Sequence, residues 1–348
     1  MGIVKVPVDK FVELAESYPV FDVRSEGEYD HAHIPGALNL PLFNNEERKV
    51  VGTIYKQQSR KDAIKTGLEY FGPKMKEMVL FAEKIIDHKE KGNKTLLVHC
   101  WRGGMRSAGV AWLMDLYGFN VYTLVGGYKA FRNWVIQQYK TDTAINILGG
   151  YTGSGKTIVL DAMRELGEPV VDLEELAGHK GSAFGNIGLP KQPSQEMFEN
   201  KLGVALNNTR KSFPNKPIWI EDESQRIGMV NLPQDFWLMM RRSPVTFLDI
   251  PFEERLSYLV DTYGKLNPAE LKEAIMRIQK RLGGLETKTA VYFIEENDMR
   301  GCFSILLKYY DKHYGKALQN RDDPGAQVTN KILARVCAEE NARIILNK

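Results

Sequence analysis

The stretch TLLVHCWRGGMRSAGVAWLMDLYG, residues 95–118, decides the fold of the first half of the chain. Its opening, TLLVHC, is a short and almost unbroken apolar run, the pattern of a strand buried on both faces. The closing RSAGVAWLMDLYG carries helical spacing and stops at Gly118, as helices often do. Strand, glycine loop and helix together make half of a βα unit. PVFDVR (19–24) and VYTLVGG (121–127) supply two further apolar runs, and KEMVLFAEKIIDHKEKG (76–92) a second helix with its stop at Gly92. The alternation predicts an α/β fold with a parallel sheet and helices on both faces.

Beyond this unit the pattern restarts. GYKAFRNWVIQQYK (127–140) reads as a helix, and TDTAINILGG (141–150) begins a new strand at about residue 144. EPVVDLEEL, KPIWIEDES and PVTFLDIPF are three more apolar runs, each meeting an acidic residue at its end. From NPAELKEAIMRIQKRLGG (267–284) onward the chain reads as mostly helical. The expected organisation is an α/β domain over 1–140 with a basic insertion at about 43–75, a second α/β domain over 141–265, and a helical region over 266–348 packed on it.

The 348 residues are 43% hydrophobic and 26% charged, which fits globular cores and excludes a disordered chain. No apolar run reaches the ~18 residues of a membrane span, and the charged N-terminal stretch does not read as a signal peptide. Three cysteines, at 100, 302 and 337, are too few and too scattered for a disulfide framework, so a cytoplasmic setting is expected. The net charge of +3 divides into +4 for residues 1–140 and −1 for the rest, too weak an asymmetry to demonstrate nucleic-acid binding.

Cys100 stands where strand gives way to helix. Gly103 and Gly104 let WRGGM curl so that successive backbone N–H groups converge on one point. A sulfur there feels a helix N-terminus and the guanidinium groups of Arg102 and Arg106, all of which favour thiolate. Such a thiolate can attack a sulfur donor and carry the second sulfur as a persulfide. Cys302 and Cys337 lack this setting and read as ordinary core cysteines.

FDVRSEGEYDHAHIPGALNLP (21–41) resembles the Asp-Val-Arg and His-Ile-Pro-Gly-Ala signatures of rhodanese domains, and Cys100 stands where their active cysteine stands. The resemblance covers the first 140 residues. It implies that Asp22, Arg24, His33 and Gly36 order the end of the sheet around the active loop.

ILGGYTGSGKT (147–157) contains the phosphate-loop spacing Gly150-x4-Gly155-Lys156-Thr157, after an expected strand and before an expected helix. Backbone N–H groups from Gly153 and Ser154 through Gly155 to Thr157 would cradle a phosphate, Lys156 would neutralise it, and Thr157 could hold Mg²⁺. Glu221, Asp222 and Glu223 end the partner strand, and any of them could reach the metal through water; no metal ligand set is fixed. Asp172 is a candidate for the substrate side. Arg241, Arg242 and Arg255 are candidate phosphate clamps.

A chalcogen-carrying thiol followed by a phosphate loop resembles the tRNA 2-selenouridine synthase family over nearly the whole chain. NNEERKVVGTIYKQQSRKDAIKTGLEYFGPK (44–74) and ELAGHKGSAFG (175–185) look like that family's insertions. The resemblance implies a tRNA substrate carrying 2-thiouridine at the wobble position of its anticodon loop. It also implies selenophosphate as selenium donor, with an enzyme that supplies it, and geranyl diphosphate as alkylating substrate. No tightly bound cofactor and no membrane partner are expected. Within the first insertion, Arg48, Lys49, Lys56, Arg60, Lys61 and Lys65 could grip RNA phosphates, with Lys56, Arg60 and Lys61 the favoured contacts, while Tyr55 and Tyr70 could stack on bases. A solvated helix face is the plain alternative. Two other functions compete: an ATP-dependent kinase or ATPase joined to a sulfurtransferase, and an inactive module that recruits a partner, which the intact Cys100 loop disfavours.

Overall fold

The computed structural model describes residues 2–89, 94–181, 185, 187–319, 321 and 323–348, and the chain forms two compact units, Met1–Gln138 and Tyr139–Lys348. The first unit runs β1 (Ile3–Val6), α1 (Val8–Ala15), β2 (Val20–Asp22), α2 (Glu26–His31), β3 (Leu38–Asn39), α3 (Asn45–Gln57), α4 (Arg60–Phe71), α5 (Met75–Lys89), β4 (Thr95–His99), α6 (Met105–Tyr117), β5 (Asn120–Leu124) and α7 (Gly127–Gln138). Its five strands are all parallel, in the order β1-β5-β4-β2-β3.

Every residue of β4 is buried, as its unbroken apolar run requires. Leu96, Val98 and Val121 face one core with Met78, Ala82, Val110 and Met114. On the opposite face Phe11 meets the His99 ring at 6.2 Å and Phe131 meets Tyr128 at 6.0 Å. Each fully buried Leu, Val or Phe contributes about 1.5–3 kcal/mol. Gly118 ends α6 in the left-handed conformation expected of it; Gly92, the expected stop of α5, lies outside the described residues. The basic insertion is two helices with their own start signals. Asn44 accepts from the Glu47 N–H at the head of α3, and Ser59 accepts from the Asp62 N–H at the head of α4.

The second unit runs β6 (Ile145–Gly150), α8 (Lys156–Glu165), α9 (Leu173–Ala177), α10 (Gln195–Ser212), β7 (Ile218–Glu221), β8 (Arg226–Ile227), β9 (Val230–Asn231), α11 (Gln234–Arg242), β10 (Val245–Asp249), α12 (Phe252–Tyr263), α13 (Pro268–Leu282), α14 (Gly284–Glu295), α15 (Met299–Gln319), α16 (Pro324–Gln327), β11 (Val328–Ile332) and α17 (Ala338–Leu346). Four parallel strands lie in the order β11-β10-β6-β7, and β8 and β9 form a small antiparallel ribbon. Helices α12 to α15 build a core of their own around Leu271, Ile275, Ile294, Phe303 and Leu307.

Two features differ from expectation. EPVVDLEEL, expected as a strand, makes a single parallel bridge, Val170 to Trp219, because Asp172 accepts from the Glu175 N–H at 2.7 Å and turns the chain into α9. The mostly helical C-terminal region also returns a strand to the sheet, with β11 pairing Val328 to Val245 of β10. VTNKI alternates weakly and stays largely exposed on the sheet edge, so no apolar run announces it.

Candidate functional site

In the first unit the parallel strands deliver their loops to one edge, and Cys100 stands there, 3% exposed, one residue past β4. Its Sγ lies 3.2 Å from Ser107 Oγ on the first turn of α6, and Ser107 donates to the Gly104 carbonyl at 3.1 Å. The loop is clamped from outside: the Cys100 carbonyl accepts from Tyr128 N at 2.8 Å and the Trp101 carbonyl from Lys129 N at 3.0 Å. Gly127 is essential to this seat. Its φ is +60°, and a Cβ there would lie 2.3 Å from the Cys100 carbonyl oxygen and 2.4 Å from Gly103 N.

Beneath the loop Arg24 bonds both oxygens of Asp22 at 2.5–3.0 Å, reaches the Ala32 carbonyl at 2.7 Å and lies 3.9 Å over the Tyr128 ring. Asp22, Arg24 and His99 are all buried. Burial works to raise the Asp22 carboxyl, yet His99, once acid has protonated it, and the Arg24 guanidinium outweigh burial and hold the carboxyl below its usual range. Burial pushes His99 down, so its ring is neutral. His33 stacks on Tyr29 at 3.9 Å, and Gly36 turns with φ +83°.

Of the two loop arginines, Arg106 has a carboxylate partner. Arg106 donates to Glu28 at 2.8 Å, and Glu28 also meets Arg48 at 3.5 Å, so a carboxylate from α2 answers the Arg106 charge. Burial tends to raise Glu28, but Arg106 and Arg48 hold it below its usual value. Arg102 is exposed and makes no hydrogen bond or ion pair among the described residues. Ser107, absent from the expected set, is the side chain on the sulfur.

In the second unit the loop after β6 turns into α8. Gly153 has φ +80°, and a Cβ there would sit 2.9 Å from the Arg255 carbonyl; Gly155 is the N-terminal cap of α8. The Ser154 hydroxyl is buried and has no partner among the described residues, a donor placed inside the loop that a phosphate oxygen would satisfy. Lys156 Nζ donates to the Gly150 carbonyl at 3.2 Å and lies 5.2 Å from the Tyr314 ring centre. Burial opposes the Lys156 charge, but Tyr314, Glu223 and Glu174 outweigh it and hold the ammonium above its ordinary range.

The three acids after β7 have separate tasks. Glu221 is buried, accepts from Glu174 N at 2.8 Å and is pushed well above its usual range by burial and by Asp172. Asp222 pairs with the buried Arg321 at 2.6 Å. Glu221 Oε2 is buried and has no hydrogen-bond partner among the described residues. Glu223 faces Glu174 and is pushed up to about 8 by burial and by that neighbour. Thr157 Oγ1 donates to Glu174 Oε2 at 3.3 Å. Oxygen donors of the kind Mg²⁺ takes thus converge at the head of α8, although no three His, Cys, Asp or Glu side chains form a metal cage among the described residues. Glu174, Tyr314 and Arg321 are additions to the expected set; they come from distant segments without motif spacing. Of the 175–185 insertion, residues 182–184 lie outside the described residues. A Cβ at Gly181 would lie 2.3 Å from Glu223, so this loop packs on the carboxyl pair.

The expected arginine clamp is not assembled. Arg255 is 3% exposed and uses its donors inside the protein, on Asp311 at 2.8 and 2.9 Å, the Ile250 carbonyl at 3.0 Å and the Thr152 carbonyl at 3.1 Å. It braces the phosphate loop from behind. Arg241 and Arg242 end α11 ahead of β10; Arg242 lines a cleft with Ile145, Pro217 and Pro244 at the starts of the strands, whereas the phosphate loop follows the end of β6. Arg241 lies 5.9 Å over the Trp237 ring.

In the insertion, Lys56, Arg60 and Lys61 are exposed and Tyr55 is 53% exposed, while Tyr70 is half-buried and edge-on to Phe43 at 6.4 Å. Arg60 reaches Met105 Sδ at 3.7 Å, beside the thiol loop. No helix among the described residues is long and apolar enough to cross a membrane.

Known proteins are similar to this chain over most of its length. A family model described as a rhodanese-like domain matches residues 8–133, and one described as the tRNA 2-selenouridine synthase AAA domain matches residues 143–338. A tRNA 2-selenouridine synthase of Bdellovibrio bacteriovorus is 33% identical over 350 residues, covering 88% of this chain and 90% of its own. One from Shewanella denitrificans is 34% identical, with 91% and 93% covered, and one from Nitrosomonas eutropha is 38% identical, with 87% and 89% covered. A thiol loop in the first matched segment, a phosphate loop in the second and relatives aligned through both place this chain in the tRNA 2-selenouridine synthase family.

Proposed function

We propose that this chain converts 2-thiouridine to 2-selenouridine at the wobble position of tRNA, in a reducing cytoplasm, with Cys100 as the chalcogen carrier. The observation that supports this most is the seat of Cys100: a thiol fixed at the sheet edge by two backbone bonds, with the Ser107 hydroxyl on its sulfur. A carrier needs its sulfur held in one place at a loop edge, and the fixed position of Cys100 supports that reading.

Thiocarbonyl sulfur is a poor leaving group until it is alkylated. Geranyl diphosphate would supply the alkyl group: a carbon–sulfur bond forms, the carbon–oxygen bond to diphosphate breaks, and the N3 proton of the base leaves with the new C2–N3 double bond. The selenium of selenophosphate would then attack C2, and the C2–S bond breaks so that geranylthiol leaves with a proton from solvent; water next cleaves the selenium–phosphorus bond, its hydroxyl going to phosphate and its proton to N3, which leaves the selenocarbonyl. The leaving diphosphate fits the second unit, where Ser154, Lys156 and the loop amides converge. Mg²⁺, held by Thr157 and Glu174, would neutralise diphosphate charge there. An enzyme making selenophosphate is the required supplier.

The test is mass spectrometry of wobble nucleosides from cells with and without this gene. Loss of 2-selenouridine with accumulation of 2-thiouridine is expected. Unchanged 2-selenouridine would overturn the reading.

A further inference from the structure

We infer that the cleft beside Cys100 is a nucleobase pocket, in which Trp101 stacks an unpaired base of an RNA and the cations of α3 and α4 hold the flanking phosphates. This deepens the tRNA reading above and rests on it. Trp101 follows the thiol residue directly, yet it is 38% exposed where Cys100 is 3% exposed. Its ring is held by Tyr128 at 5.6 Å and by the Arg24 guanidinium at 5.8 Å, and its carbonyl is bonded to Lys129 N. An exposed aromatic braced in this way loses little freedom when a flat ring lands on it. The cleft it borders measures about 650 Å³, and Glu28, Glu46, Arg48, Lys49 and Arg106 also line it.

The mixture of groups selects the ligand class. A small free oxyanion would gain nothing from an indole face and would be repelled by Glu28 and Glu46. A nucleotide uses every part: the base stacks on Trp101, its N–H groups find carboxylate acceptors, and its phosphates reach cations further out. Those cations are present. The Arg48 side chain is 51% exposed and holds Glu28 only at 3.5 Å, the looser of that carboxylate's two ion pairs, and Lys49 and Arg60 are exposed on the same insertion. A phosphate could therefore draw Arg48 outward while Arg106 still satisfies Glu28.

The experiment measures binding of an anticodon stem–loop RNA to the full chain by fluorescence anisotropy, with wild type, Trp101→Ala and Trp101→Phe. A second RNA lacks the wobble base but keeps its sugar and phosphates. Trp101→Ala should weaken binding of the intact RNA about tenfold, within the range for one base stacked on an aromatic ring, while Trp101→Phe keeps most of it. Wild type should bind the abasic RNA about as weakly as Trp101→Ala binds the intact one, and Trp101→Ala should not distinguish the two RNAs. The abasic arm needs no variant, so a misfolded mutant cannot hide the answer. Equal wild-type affinity for both RNAs overturns the pocket. So does an unchanged affinity of Trp101→Ala for RNA, even when inorganic phosphate or thiosulfate no longer protects Cys100 from alkylation; the cleft is then a small-anion site and the tRNA reading stands. If wild type binds neither RNA, the pocket and the tRNA reading fall together.

Discussion

Cys100 rests on a buried pair and a neutral ring, and these set how the first unit responds to acid. Asp22 is held below its ordinary value of 3.8, so its contribution to stability is present above that pH and is lost as pH falls through the folded value. His99 is pushed below its ordinary 6.5 by burial. The unfolded chain then takes up a proton that the folded ring refuses, so stability from this group is full above pH 6.5 and declines below it. The urea midpoint of the first unit should therefore be lower at pH 5 than at pH 7, and His99→Phe should flatten that difference; an equal slope in both proteins refutes the assignment. The thiol itself has a simpler prediction. Cys100→Ala removes a small side chain from the loop edge and should abolish selenium incorporation without changing the unfolding free energy by more than about 1 kcal/mol, since the loop is held by backbone bonds. Full selenation by that variant would end the carrier role. Cys302, pushed up to about 12 by burial in the helical core, should tolerate Ala without loss of activity.

At the level of elements, what was legible in the sequence had a local physical cause. The unbroken apolar run of β4, the helical spacing of α6 with Gly118 behind it, and the phosphate-loop spacing ahead of α8 each state their structure within a few residues. What was not legible depends on contacts between distant segments. Arg106 sits beside Cys100 in the sequence, but its partner Glu28 arrives from α2; Arg255 reads as a free cation until Asp311 of α15 reaches it. Likewise Glu221, Asp222 and Glu223 are equal in the sequence, and only Arg321, Asp172 and Glu174 separate their tasks. Lys156, by contrast, keeps its expected place at the head of α8. Lys156→Ala should weaken diphosphate binding by ~1.5–3 kcal/mol, the range for a hydrogen bond to a charged group, and geranylation should fall with it. Calorimetry showing unchanged affinity for geranyl diphosphate would place that ligand elsewhere.

For the molecule as a whole, the net charge of +3 says little, but α3 and α4 carry six Lys or Arg against four Asp or Glu, half of the excess over residues 1–140, and Arg60 brings that surface next to the thiol loop. If that surface grips tRNA phosphates, affinity should fall as salt rises, with a log–log slope near −0.7 for each single-strand phosphate contact, because binding releases condensed counterions. Lys56→Ala, Arg60→Ala and Lys61→Ala together should flatten the slope by up to roughly two units and weaken all tRNAs alike, since phosphate contacts carry no sequence information. Trp101→Ala should behave in the opposite way, lowering affinity while leaving the slope unchanged, because stacking releases no counterions. Activity of the triple variant on a free 2-thiouridine nucleoside should persist, as Cys100 and the phosphate loop are untouched. A triple variant that keeps both its tRNA affinity and its salt slope shows that α3 and α4 are merely solvated, and the phosphates must then meet the protein on the second unit.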